Sequence, residues 1–102
     1  MKHYLEANHK TVHWGFLSAE INPVLNINSG DEVEITSVSG PPEVTKNSPY
    51  KVKESLLEIH EKSVRGTLQG GHICTGPIEV DGSKTGDVIE IEILSIELDS
   101  YW

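Results

Sequence analysis

A chain of 102 residues is the size of one domain, and a domain that small buries roughly 60 to 70% of its unfolded surface, enough for a single modest core. Sixteen acidic side chains against eight basic ones, a net charge of -8 with histidine neutral, exclude nucleic acid and anionic lipid surfaces as partners, because both repel such a chain. The single cysteine, Cys74, excludes an internal disulfide and fits a reducing cytoplasm, and no apolar run approaches the ~20 residues that span a bilayer.

Taken in chain order, Thr11-Val12-His13-Trp14-Gly15-Phe16 is rich in β-branched and aromatic residues and reads as a first strand, with Gly15 as a bulge or a point of close approach. The residues before it are expected to fray. Asn22-Pro23 signals a turn, residues 24–27 alternate, and Asn28-Ser29-Gly30-Asp31 turns the chain into Val33-Glu34-Ile35-Thr36-Ser37-Val38, which predicts a hairpin. Ser39-Gly40-Pro41-Pro42 stops that strand, since proline lacks the donor a ladder needs, and a loop is expected after it.

Ser48-Pro49 has the form of an N-cap followed by proline at the first helical position, and Val52, Leu56, Ile59 and Ser63 then fall on one stripe at helical spacing. The spacing predicts one substantial helix, from Tyr50 to Val64, with Gly66 as its stop. After Gln69-Gly70-Gly71-His72, residues 73–80 form an extended stretch interrupted by Gly76-Pro77, and residues 81–87 make a long turn. Residues 88–98, Val-Ile-Glu-Ile-Glu-Ile-Leu-Ser-Ile-Glu-Leu, alternate almost without fault and are the clearest strand, predicted to close a last hairpin. Both Gly30-Asp31 and Gly86-Asp87 stand just before an alternating strand, where glycine supplies a positive φ and aspartate bonds nearby backbone donors. Together the elements predict one mainly β domain over residues 1–102, a small β-sandwich or barrel-like pair of sheets with one helix.

Polar residues gather among glycines in two places, Thr11 to Gly15 and Gly70 to Pro77. His72, flanked by Gly70, Gly71 and Gly76, sits where small residues let backbone N–H groups approach a substrate, and Thr75 stands beside it as a hydrogen-bond donor; the alternative is that His72 caps a turn. His13 points to the opposite face from Val12 and Trp14 and so toward a cleft, or else is structural. His72 and Cys74, two apart on an extended segment, share a face, which permits ligation of zinc or another divalent metal once further ligands converge. Cys74 has no base beside it in sequence and reads as a small core residue. His3, His9 and His60 read as surface histidines, and Glu90 with Glu92 as the wet side of a strand. Terminal Tyr101-Trp102 exposes aromatic area unless something covers it, which points to a companion chain or a further segment.

His13-Trp14-Gly15, the Gly30-Asp31 turn into an alternating strand, Ser39-Gly40-Pro41-Pro42-Glu43, Gly71-His72-Ile73-Cys74-Thr75-Gly76-Pro77 and the Gly86-Asp87 turn into an isoleucine-rich strand follow one another in order. In that order and spacing, from about Thr11 to Leu98, the chain resembles the opening section of the acetamidase/formamidase family. The resemblance implies a β-rich architecture and hydrolysis of short linear amides to ammonia and a carboxylate, with His72, Thr75 and His13 as the site residues. It also implies that the family's later Gly-Asp-x-His type segment and nearby glutamate lie beyond this stretch, so that the activity is incomplete in this chain alone. The partners expected are a small amide substrate and a companion chain or further copies in a homo-oligomer. Two rival functions remain: a non-catalytic binding or assembly β module derived from that family, and a small metal- or solute-binding β domain in which His13, His72 and Cys74 converge.

Overall fold

In the computed structural model, which describes residues 1–63 and 70–99, short strands dominate. The described residues form β1 (Lys2–Leu5), β2 (Val12–Trp14), β3 (Leu25–Ile27), β4 (Glu32–Ile35), α1 (Pro42–Thr45), α2 (Glu54–Lys62), β5 (Ile73–Thr75) and β6 (Ile78–Val80). The fold is mainly β, as the alternation of the sequence predicts. Its strands make three two-stranded sheets: β1 with β4 in parallel, β2 with β5 antiparallel, and β3 with β6 in parallel.

The start of the chain is held in place, against the expectation that it frays. Lys2 to Leu5 pair in register with Glu32 to Ile35, and Leu5 is buried. The reason lies in the turn before β4. Gly30 has a φ of +91°, a conformation that favours glycine. The Asp31 carboxylate then accepts the Asn28 amide at 3.0 Å, meets His3 Nε2 at 2.9 Å and takes the Met1 amine at 3.0 Å. Those three donors, the Asn28 amide foremost, hold the Asp31 carboxyl well below the usual carboxylate range.

Because its folded-state pKa lies below the unfolded value near 4, the stabilisation from Asp31 is complete above about pH 4 and drains away as the pH falls further. An Asp31→Asn variant is therefore expected to unfold at lower urea than the parent at neutral pH, with the two midpoints converging below about pH 4. A gap that stays constant down the acid range would show that Asp31 stabilises nothing through its charge.

Neither predicted hairpin forms. β3 and β4 flank the Asn28–Asp31 turn but diverge from it, β3 to pair with β6 and β4 to pair with β1. β5 and β6 likewise pair with β2 and β3, and residues 88–98 join no sheet. Parallel pairing needs a long connection rather than a tight turn, and turn chemistry in the sequence reports only that the chain changes direction.

The helices also depart from expectation. Pro41-Pro42, read as a strand stop, opens α1, which suits proline in a first helical turn, where its missing N–H costs nothing. α2 runs from Glu54 to Lys62 rather than from Tyr50, with Lys53 at the N-cap position and no side-chain cap. Ser48 instead accepts the Tyr50 amide at 3.2 Å in a turn. Val64, Gly66, Gln69, Tyr101 and Trp102 lie outside the described residues.

α2 buries the stripe that the spacing marks: Ile59 and Leu56 are closed to solvent, while Leu57 is half exposed. Ile59 meets Ala7 and Trp14 in the core, with Val12, Val38 and Ile73 against them. Trp14 stacks on His60 at 6.1 Å between ring centroids and donates from Nε1 to Ser63 Oγ at 3.2 Å. His60 Nε2 donates to the Gly40 carbonyl at 2.8 Å, tying α2 to the loop before α1. His60 is thus half-buried rather than a surface residue. His9 is too, and its amide and Nδ1 both meet the Glu58 carboxylate of α2. Burial alone would raise the Glu58 carboxyl, but the bonds from His9 hold it below its ordinary value.

Residues 88–98 leave this body. Their seven aliphatic side chains are between 60% and 94% exposed. The molecule measures 45 × 31 × 18 Å with a radius of gyration of 15.0 Å, against about 13 Å for a compact chain of this length. The segment leaves a turn that copies the one before β4: Gly86 has a φ of +97°, Asp87 donates its amide to the Lys84 carbonyl at 3.0 Å, and its carboxylate takes the Lys84 amide at 2.8 Å. Beyond it, Asp99 forms an ion pair with Lys53. No described helix is long and apolar enough to cross a membrane.

Candidate functional site

β2 and β5 carry the residues that the sequence singles out. Their register sets Val12 against Thr75, His13 against Cys74 and Trp14 against Ile73, and two flanking bonds extend the ladder, Gly76 amide to Thr11 carbonyl and Gly15 amide to His72 carbonyl, each at 2.9 Å. Alternation divides this ribbon into two faces. Val12, Trp14 and Ile73 turn to the core. His13 and Cys74 share the other face, directly opposite each other.

That face lines a cavity of about 460 Å³. Its remaining wall comes from Leu17, Ser18, Ala19 and Ile21 of the loop after β2, from Thr75, and from Gly76 and Pro77, whose peptide bond is cis. Gly76 has a φ of +136°, so a side chain there would be strained, and the position keeps the backbone carbonyl close to the imidazole.

His13 is the chemically informative group. Its Nδ1 lies 3.3 Å from the Gly76 carbonyl, which can only accept, so a hydrogen on Nδ1 completes that bond and, in the neutral ring, leaves Nε2 as the acceptor. Nε2 is buried and has no hydrogen-bond partner among the described residues. A buried acceptor left unpaired costs about 1–3 kcal/mol, a cost that a bound donor would offset. The imidazole is thus oriented as a base at the wall of a mainly apolar cavity. Cys74, expected to be a core residue without a base nearby, is half-buried and faces this imidazole. Cross-strand pairing supplies a neighbour that sequence distance hides.

The other two candidates sit differently. Thr75 also contributes to the cavity wall, but it pairs with Val12 and its hydroxyl donates to the Thr36 carbonyl at 2.9 Å, which fixes the loop after β4 beside β5. His72 is exposed, is absent from the cavity wall, and touches the ribbon through its backbone carbonyl. The wall residues Leu17, Ala19, Ile21 and Pro77 carry no sequence signal of their own, being common apolar residues on loops.

Among the described residues no three His, Cys, Asp or Glu side chains converge closely enough to hold a metal ion. His13, His72 and Cys74 do not form a zinc site by themselves, and a divalent metal here would need ligands from elsewhere. No model of a known protein family, no curated protein and no solved structure matches the chain.

Proposed function

We propose that the chain contributes an amide-hydrolysing site of the acetamidase/formamidase kind, with the His13 cavity receiving a short linear amide. The observation that carries this reading is the buried Nε2 of His13, which has no partner among the described residues, on a ring whose Nδ1 meets the Gly76 carbonyl. A water positioned between that nitrogen and the amide carbonyl would lose a proton to Nε2 as its oxygen attacks carbon. The imidazolium formed keeps its Nδ1–H on Gly76 and returns the proton to the leaving nitrogen. Ammonia departs and a carboxylate remains. The apolar wall of Leu17, Ala19, Ile21 and Pro77 suits a hydrogen or methyl acyl group and keeps the attacking water in low dielectric. Donors for the oxyanion, and further ligands for any metal, would come from a second copy of this chain across a subunit interface.

The test is ammonia release from formamide and acetamide by the purified chain, with and without zinc. Release above the protein-free rate, stronger for these two than for a branched or aromatic amide, is the expected result. No release from a chain whose Trp14 gives a folded near-ultraviolet signal would sink the reading of an active site in this chain alone. A second reading, an assembly module without turnover, draws on the exposed apolar segment 88–98. It predicts a defined oligomer and no ammonia.

A further inference from the structure

We infer that residues 88–98 are an association strand, and that the partner they take is a second copy of this chain, each copy lending the segment to a free sheet edge of the other. The inference is independent of any amidase activity.

The turn makes the first argument. Asn28–Asp31 and Lys84–Asp87 have the same construction, with glycine at positive φ in the third place and an aspartate whose carboxylate takes the amide of the first residue. The first turn delivers β4 to a parallel partner, β1. The second delivers a longer and more apolar stretch to no partner among the described residues.

The pattern of side chains makes the second. Ile89, Ile91 and Ile93 fall on one side of an extended strand, and Leu94, Ile96 and Leu98 fall on the other. The apolar side changes between Ile93 and Leu94. A strand covered by one sheet layer would leave one trio in water, whereas a strand at the boundary between two bodies can turn one trio to each. A twofold interface between copies supplies that arrangement.

Area and self-sufficiency choose the occupant. At roughly 100 Å² of apolar surface for each aliphatic side chain, the segment brings about 700 Å² per copy, close to the ~800 Å² per partner of a stable interface. Among the described residues each of the three sheets has two strands, so the same molecule that offers the strand also offers edges to which none of those residues adds a further strand. The two copies are both acidic, at -8 each, which sets a sign for salt: screening should tighten the pair, whereas a basic partner would be released.

Sedimentation equilibrium of the purified chain, with amide hydrogen exchange read over residues 88–98, decides the matter. The expected result is a closed dimer of twice 11.3 kDa at up to about 100 µM, tightened by salt, with protected amides in the segment. The pair Ile91→Lys and Ile96→Lys should raise the dissociation constant at least about tenfold and expose those amides. Both side chains are exposed in the single chain, so the core around Trp14 should keep its near-ultraviolet signal. If the double variant fails that check, Glu90→Pro, which removes one backbone donor, replaces it and should weaken the dimer likewise. A parent that stays monomeric, a dimer whose 88–98 amides exchange freely, or an open series of polymers would each overturn the inference.

Discussion

Trp14→Ala is expected to cost the fold about 3–5 kcal/mol, a large share of what holds a small domain together. The indole lies between β2 and α2, 2% exposed, against Ala7 and Ile59. Its removal leaves a cavity between a strand and a helix that are each fixed by other contacts, so the gap cannot close by a small shift. It also removes the stack on His60 and leaves the Ser63 hydroxyl without the indole donor. Urea unfolding followed by far-ultraviolet circular dichroism reads the loss, with Leu57→Ala as the control. Leu57 sits on the same helix but is 49% exposed, and its truncation should cost under about 1 kcal/mol. Equal losses at the two positions would mean that the core does not centre on the contact between β2 and α2.

His13→Ala should lower kcat/KM for formamide and acetamide by roughly 10²–10⁴, the range for removing a positioned general base. Its effect on stability should be small by comparison, because among the described residues the ring makes one long hydrogen bond, to Gly76, and leaves Nε2 unpaired. Cys74→Ser then separates two routes, since it keeps the shape of the cavity while weakening a thiol nucleophile. A rate that survives the change assigns the attack to water. A rate that falls as far as in the His13 variant assigns it to the Cys74 sulfur, with His13 as its base. His72→Ala, at an exposed position outside the cavity wall, should alter turnover little. If His72 proves essential and His13 dispensable, the site lies on the outer edge of the β2–β5 ribbon and the cavity is a packing feature.

Periodicity made the local chemistry of this chain legible. The stripe of Leu56 and Ile59 is the buried face of α2, the alternation at Val12-His13-Trp14 divides core from cavity, and the two Gly-Asp turns form as their residue types require. Partnership was not legible. Nothing in the sequence says that the strands beside a Gly-Asp turn part company, because the competing edges lie far along the chain and enter only through tertiary packing. The same gap hid the pairing of His13 with Cys74. It also made residues 88–98, the most regular alternation in the chain, look like a settled strand, since alternation states which edge a segment could join and not whether one is in reach.

All three sheets close between strands that are distant in sequence: Lys2 with Glu32, Val12 with Thr75, and Leu25 with Ile78. Among the described residues no strand pair forms by a tight turn alone, so each ladder must close a loop before its first bond repays the entropy lost. High contact order of this kind slows folding to milliseconds or longer and leaves unpaired edges open throughout the search. A nascent or refolding chain therefore spends that interval with apolar residues 88–98 already exposed. Yield on refolding should fall steeply with concentration, for reasons of kinetics rather than of final stability.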